Sequence, residues 1–184
     1  LSTAMSSRPT MKRVYYSGFV PGNSYDNRLP ALKQPQLVRE NHLYQADWLL
    51  RFYEFQVEEI VDDSYPTLDL ELDPKLGWAL RHPEQFPVDV NRADYHMILR
   101  VPGIGVKSAK LIVSSRRYSK ITSSVLKKMG VVMKKAQYFI TCGELGMGNT
   151  VNELKPENVR RILTQKKPDK RLANIDQMAL VFPE

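Results

Sequence analysis

The chain has 184 residues, 42% of them hydrophobic, with a formal net charge of +7, and that is enough apolar material for one or two small packed domains. Its single cysteine, Cys142, excludes an intrachain disulfide framework and a Cys-rich metal or iron–sulfur site, and His42, His82 and His96 are scattered without ligand spacing. No apolar run approaches the ~20 residues that span a bilayer, and no signal peptide is visible, so no membrane partner and an intracellular, cytoplasmic location are the default expectations.

In chain order, the polar opening carries no structural signal, and Arg13 to Val20 is β-rich and ends at Pro21, which predicts a strand with no convincing partner nearby. Residues 21–37 read as a loop rich in proline and glycine. Val38 to about Tyr53 predicts a helix whose aromatic side (Tyr44, Trp48, Phe52, with Phe55 beyond) is assigned to the core in preference to base stacking. Gln56 to Val61 suggests a short helix. Leu68 to Asp73 alternates with period two and would line up Asp69, Glu71 and Asp73 on an extended segment; three such carboxylates suit magnesium, but solvent-facing charge is the plainer reading. Asp73 before Pro74 starts a helix through Trp78 and Leu80, and Pro83 closes it.

The most specific stretch is Val-Pro-Gly-Ile-Gly-Val-Lys-Ser-Ala-Lys-Leu-Ile at 101–112. Before it, Asn91 is a candidate cap with Asp94 in an acidic first turn, and Met97, Ile98 and Leu99 end a helix that Pro102 stops. Gly103 and Gly105 permit a tight turn. A second helix begins near Val106, with Val106, Ala109, Ile112 and Val113 on one side. This is the pattern of a helix-hairpin-helix, in which unpaired amides at a helix start meet phosphate oxygen. The expected nucleic-acid contacts are Pro102, Gly103, Ile104, Gly105, Val106, Lys107, Ser108, Lys110, Arg116 and Arg117, with phosphate against the amides of residues 103–106. A weaker copy follows: Ser123 or Ser124 caps a helix through Leu126 and Met129, Gly130 turns the chain, and Val132, Ala136 and Phe139 resume helical spacing, with Lys134 and Lys135 facing a backbone. A monovalent cation on the hairpin carbonyls is a further expectation.

Charge follows the same division. Residues 91–140 hold eleven Lys or Arg and one acid, Asp94, for +10, whereas residues 41–90 hold three basic and eleven acidic residues, for −8. From Tyr95 through Cys142 there is no carboxylate. A charge run is ordinarily a solvated face, but its coincidence with the hairpin points to a polyanion.

Beyond the module, residues 143–149 form a glycine-rich break, Pro156 opens a helix through Leu163, Lys166 to Arg171 is a basic linker and Gln177 to Phe182 a candidate strand. The expected fold class is mainly α: a tandem helix-hairpin-helix module with additional helices and one or two short strands. The segments are 1–37 (extended), 38–86 (helical and acidic), 87–142 (the module) and 143–184 (C-terminal helix and basic tail).

Arg-Val-Tyr-Tyr-Ser-Gly-Phe-Val-Pro at 13–21, Leu-Tyr-Gln-Ala-Asp-Trp-Leu-Leu-Arg-Phe-Tyr at 43–53, Leu-Asp-Leu-Glu-Leu-Asp-Pro-Lys at 68–75, Phe-Pro-Val-Asp-Val-Asn-Arg-Ala-Asp at 86–94, the hairpin, and Lys-Lys-Ala-Gln-Tyr-Phe-Ile at 134–140 occur in that order. Together they resemble the C-terminal part of the putative DNA modification/repair radical SAM proteins. The resemblance implies that 13–20 is a late strand of a barrel, that the barrel would hold [4Fe–4S] and S-adenosylmethionine, and that this part targets DNA for repair or modification. The Cys-x-x-x-Cys-x-x-Cys set of that chemistry is not among these residues, so either the chain is a fragment of a longer enzyme or it keeps only the binding part. Helix-hairpin-helix glycosylases offer a rival resemblance, with Lys107 at the place of their catalytic lysine; no acid follows until Glu144, which breaks the pair they need. A third class, a module that binds a repair protein through the acidic 57–90 region, also stays open.

Overall fold

The computed structural model describes residues 14–17, 37–143 and 155–164. Among them are eight helices and two short strands: α1 (Leu37–Phe52), α2 (Val57–Ile60), α3 (Pro74–Arg81), β1 (Val88–Asp89), α4 (Tyr95–Arg100), α5 (Val106–Ser115), α6 (Ser123–Lys128), α7 (Met133–Ala136), β2 (Ile140–Thr141) and α8 (Pro156–Thr164). The chain is mainly helical, as expected. No helix among the described residues is long and apolar enough to cross a membrane.

α3 starts as its sequence dictates, with Pro74 in the first turn and the Asp73 side chain accepting from the Leu76 amide at 3.0 Å. It carries Trp78 into the centre of the core, where Phe55 and Phe86 meet its ring edge-on and Phe86 in turn meets Phe139. Residues 88–141 form a closed unit. β1 and β2 pair in parallel, Val88 opposite Ile140 and Asp89 opposite Thr141, so the two ends of the unit are tied together.

Several expectations need correction. The four described residues of the expected 13–20 strand are not in a strand; the Tyr16 N–H and C=O are instead satisfied by the Tyr44 hydroxyl, each at 3.0 Å. Asn91 does not cap α4. Asp94 does, accepting from the Met97 amide at 2.8 Å, while the Asn91 amide accepts from Ile121 N–H at 2.7 Å and donates to Ile121 C=O at 3.1 Å, stapling the entry of α4 to the entry of α6. Thr122, not Ser123 or Ser124, stands at the cap position of α6. Helical spacing through Phe139 also fails: α7 ends at Ala136, and the chain turns so that Ile140 can join β1.

Leu68 to Asp73 is a turn rather than an extended segment, because Asp69 bends it by accepting from the Glu71 and Leu72 amides at 2.7 and 3.2 Å. Its carboxylates serve the fold. Arg160 on α8 bridges Asp69 and Glu71 at 2.8 and 2.9 Å. Burial pushes the Asp69 carboxyl up, but the two amides and Arg160 outweigh it and hold the group below its ordinary range. No cluster that could hold a metal ion occurs among the described residues. The readings for the rest of 13–37, for 144–149, for 166–171 and for 177–182 lie outside the described residues.

Candidate nucleic-acid interface

The loop between α4 and α5 is built by its own sequence. The Ile104 amide donates to Val101 C=O at 3.2 Å, with Pro102 and then Gly103, at φ +88°, as the central pair, the residue order of a type II turn. The α6 end is a Schellman closure: Gly130 takes φ +81°, its amide donates to Lys127 C=O at 3.1 Å and the Val131 amide to Leu126 C=O at 3.1 Å, with Val131 and Leu126 both buried. The two turns interlock. Val132 N–H donates to Gly103 C=O at 2.9 Å, and the Ser108 hydroxyl donates to Met129 C=O at 2.8 Å. α4 packs against α5, and the turn between them is fastened to the glycine turn that follows α6.

This fastening sorts the residues expected to meet nucleic acid. Lys107, Lys110, Arg117 and Lys134 are exposed, with Lys107 and Lys110 a turn apart on α5, and Lys120, Lys127 and Lys128 are exposed too. Others have structural employment. Pro102, Ile104 and Ser108 are buried. Arg116 donates to the carbonyls of Val90 (3.2 Å) and Ala93, which holds the α5 end to the start of the unit. Lys135 reaches Asp73 at 2.5 Å. Gly130 is exposed but serves the turn geometry. Of the four amides expected to face phosphate, Ile104 donates within its turn and Val106 to the Tyr53 hydroxyl. Those of Gly103 and Gly105 have no acceptor among the described residues.

The acidic segment meets the basic unit through specific pairs. Arg100 on α4 contacts Glu59 at 2.5 Å and lies 4.4 Å from the centre of the Phe55 ring; Glu54 reaches His96 at 2.8 Å. These contacts use up acids within the chain and place the 41–90 segment against one end of the hairpins.

Sequence reasoning missed the residue at that junction. Lys75, in the first turn of α3, is 8% exposed; its ammonium donates to Ile104 C=O at 2.7 Å and lies 4.7 Å from the Tyr53 ring centre. Burial is the main cause that drops its pKa to about 7, with Asp73 opposing and Lys135 assisting the drop. Burial likewise pushes the Tyr53 phenol up, against the Val106 amide it accepts. A lysine in the first turn of a helix opposes the helix dipole, and that was the only signal in the sequence. Three carbonyls of this turn accept protein donors: Val101 from Ile104, Gly103 from Val132 and Ile104 from Lys75.

The aromatic side of α1 also departs from expectation. Phe55 is core, but Trp48 is 59% and Phe52 51% exposed, their rings 5.2 Å apart. Trp48 borders a cleft of about 540 Å³ that Lys75 and Lys135 also line.

Comparison with protein-family models, with curated proteins and with solved structures finds no match for this chain.

Proposed function

We propose that the two hairpins are a tandem helix-hairpin-helix unit that binds DNA through its backbone with little sequence preference. One observation carries the reading: two glycine turns locked to each other sit in a stretch with no carboxylate from Tyr95 through Cys142, beside the exposed Lys107, Lys110 and Lys134. Lysine and arginine on such a surface exchange condensed counterions for protein contacts, an effect that carries no sequence information. The amides of Gly103 and Gly105 add neutral donors for phosphate oxygen, and Lys107, on α5 directly after the turn, adds charge.

On the resemblance described above, the biological role is DNA repair or modification, with this chain as the targeting part of a radical SAM-type protein. Its own residues do not fit the cofactors of that chemistry, because one buried cysteine, Cys142, cannot supply the thiolates of a [4Fe–4S] cluster. No catalytic step is assigned to this chain.

The test is binding of labelled duplex DNA across a salt series, followed by anisotropy. Each phosphate neutralised contributes about −0.9 to the slope of log K against log salt. Lys107→Ala with Lys110→Ala is expected to flatten that slope by about two, with similar loss on unrelated sequences. An unchanged slope in a folded double variant would refute the interface.

A further inference from the structure

We propose that the cleft between α1 and α3 receives an unpaired nucleobase, stacked on Trp48, from a strand whose phosphates lie on the hairpins. This rests on the backbone-binding reading and adds a second, separable contact. Trp48 and Phe52 stand one turn apart on α1 with their rings in contact, both more than half exposed. An indole kept at the surface beside a cleft offers a π-face that every base can use, so the preference it gives is for unpaired bases rather than for a sequence. The rest of the lining suits a base. Asn41 and Gln45, exposed on the same helix, supply amides that both donate and accept, as a base edge requires, and Tyr44 lies between them. Among the described residues of the lining Asp73 is the one carboxylate, and both its oxygens are occupied, one by the Leu76 amide and one by Lys135. Lys75 and Lys135 therefore leave the cleft without free negative charge, which favours a nucleotide over a basic peptide.

The position of the cleft supports the same occupant. Its Lys75 donates to Ile104 C=O of the first turn, its Tyr53 accepts from the first amide of α5, and its Lys135 belongs to α7 of the second hairpin. A strand held at the Gly103–Lys107 end of α5 thus runs beside the cleft mouth. The volume, about 540 Å³, lies within the range of small-ligand sites, roughly 300–1,000 Å³.

The experiment uses the full chain and two labelled duplexes, identical except that one carries a single unpaired thymidine. Binding is followed by anisotropy and by tryptophan emission. Trp78 is 1% exposed, so quenching reports Trp48. The unpaired-base duplex is expected to bind about tenfold more tightly, the order of gain from one stacked base, and to quench emission. Trp48→Ala should bring its affinity down to that of the paired duplex without altering the latter, and Trp48→Phe should keep most of the preference. Equal affinity of the unmodified chain for both duplexes, without quenching, overturns the cleft while leaving the hairpin interface standing. If the paired duplex fails to bind at low salt, the hairpin reading falls, and quenching by a short oligothymidine, present in the unmodified chain and absent in Trp48→Ala, then decides the cleft alone. A Trp48→Ala variant that changes only self-association in sedimentation also overturns the proposal, assigning the aromatic pair to a second copy of the chain.

Discussion

The interlock of the two turns makes a quantitative prediction at Gly103. A Cβ built there would lie 2.6 Å from the Val132 carbonyl oxygen and 3.2 Å from the Ala136 nitrogen, both backbone atoms, and Gly103 holds φ +88°. Alanine therefore meets two costs. Left-handed backbone is unfavourable for an L-residue by about 1–2 kcal/mol. Separating the turns enough to admit the methyl also breaks the Gly103–Val132 hydrogen bond, worth about 1 kcal/mol net. Gly103→Ala is then expected to destabilise by roughly 2–3 kcal/mol, on the basis of backbone strain plus a lost bond. Two other glycines calibrate the figure. Gly130 has φ +81° but its nearest foreign atom is the Ser108 oxygen at 3.7 Å, so alanine there bears only the backbone cost, about 1–2 kcal/mol. Gly77, within α3, has nothing within 4 Å, and alanine there should stabilise by about 0.5–1 kcal/mol through helix propensity. Urea unfolding of the three variants measures the series directly. If Gly103→Ala costs no more than Gly130→Ala, the turns are not pressed together as described, and the tandem geometry is refuted.

Stability should also respond to pH through Lys75. Its folded pKa, about 7, lies below the value of 10.5 it has when exposed, so between these values the unfolded chain binds more protons and stability rises with pH, by at most about 1.4 kcal/mol per pH unit. Below pH 7 both states are protonated and the cost of burying the charge is present in full. Urea midpoints of Lys75→Met minus those of the unmodified chain, from pH 7 to 10, should shrink as pH rises; a flat difference would mean that the ammonium is not desolvated. Adjacent arginines should behave oppositely. Arg116→Ala is expected to destabilise by about 1–3 kcal/mol through its carbonyl contacts, whereas Arg117→Ala should leave the urea midpoint unchanged and weaken duplex binding at low salt. Equal behaviour of the two in both assays would contradict the assignment.

Local rules made much of the architecture legible. Asp73 followed by Pro74 starts α3 for local reasons, because the proline needs no partner for an N–H and the aspartate supplies an acceptor for Leu76. Pro102 and Gly103 specify their turn by the φ values open to them. Other elements were misread because the deciding partner is remote. Asn91 has the chemistry of a cap, and nothing nearby in sequence shows that Ile121, thirty residues on, will take both ends of its amide. Periodicity put Trp48 and Phe52 in the core since an apolar stripe usually faces one, yet α1 turns Leu49 inward and leaves the two rings outside. Alternation at 68–73 failed for a local reason instead: the side chain of Asp69 bends the backbone by accepting from amides two and three residues on.

The candidate interface divides along the same line. The sequence by itself determined where positive charge is concentrated, where the two glycine turns at Gly103 and Gly130 fall and that the Cys-x-x-x-Cys-x-x-Cys set is not among these residues, since composition and local backbone preference do not depend on distant contacts. Only the tertiary structure decided which cations face outward. Arg116 and Arg117 are alike in sequence, but the turn that ends α5 gives one to the carbonyls of Val90 and Ala93 and the other to solvent. Lys75 is buried and Lys107 exposed for the same kind of reason: α3 packs its first turn against the Ile104 carbonyl, whereas α5 buries Ser108 and Ala109 and leaves Lys107 on its outward side. A charge is available to a partner only when no neighbour in the fold has taken it, and those neighbours are set by packing.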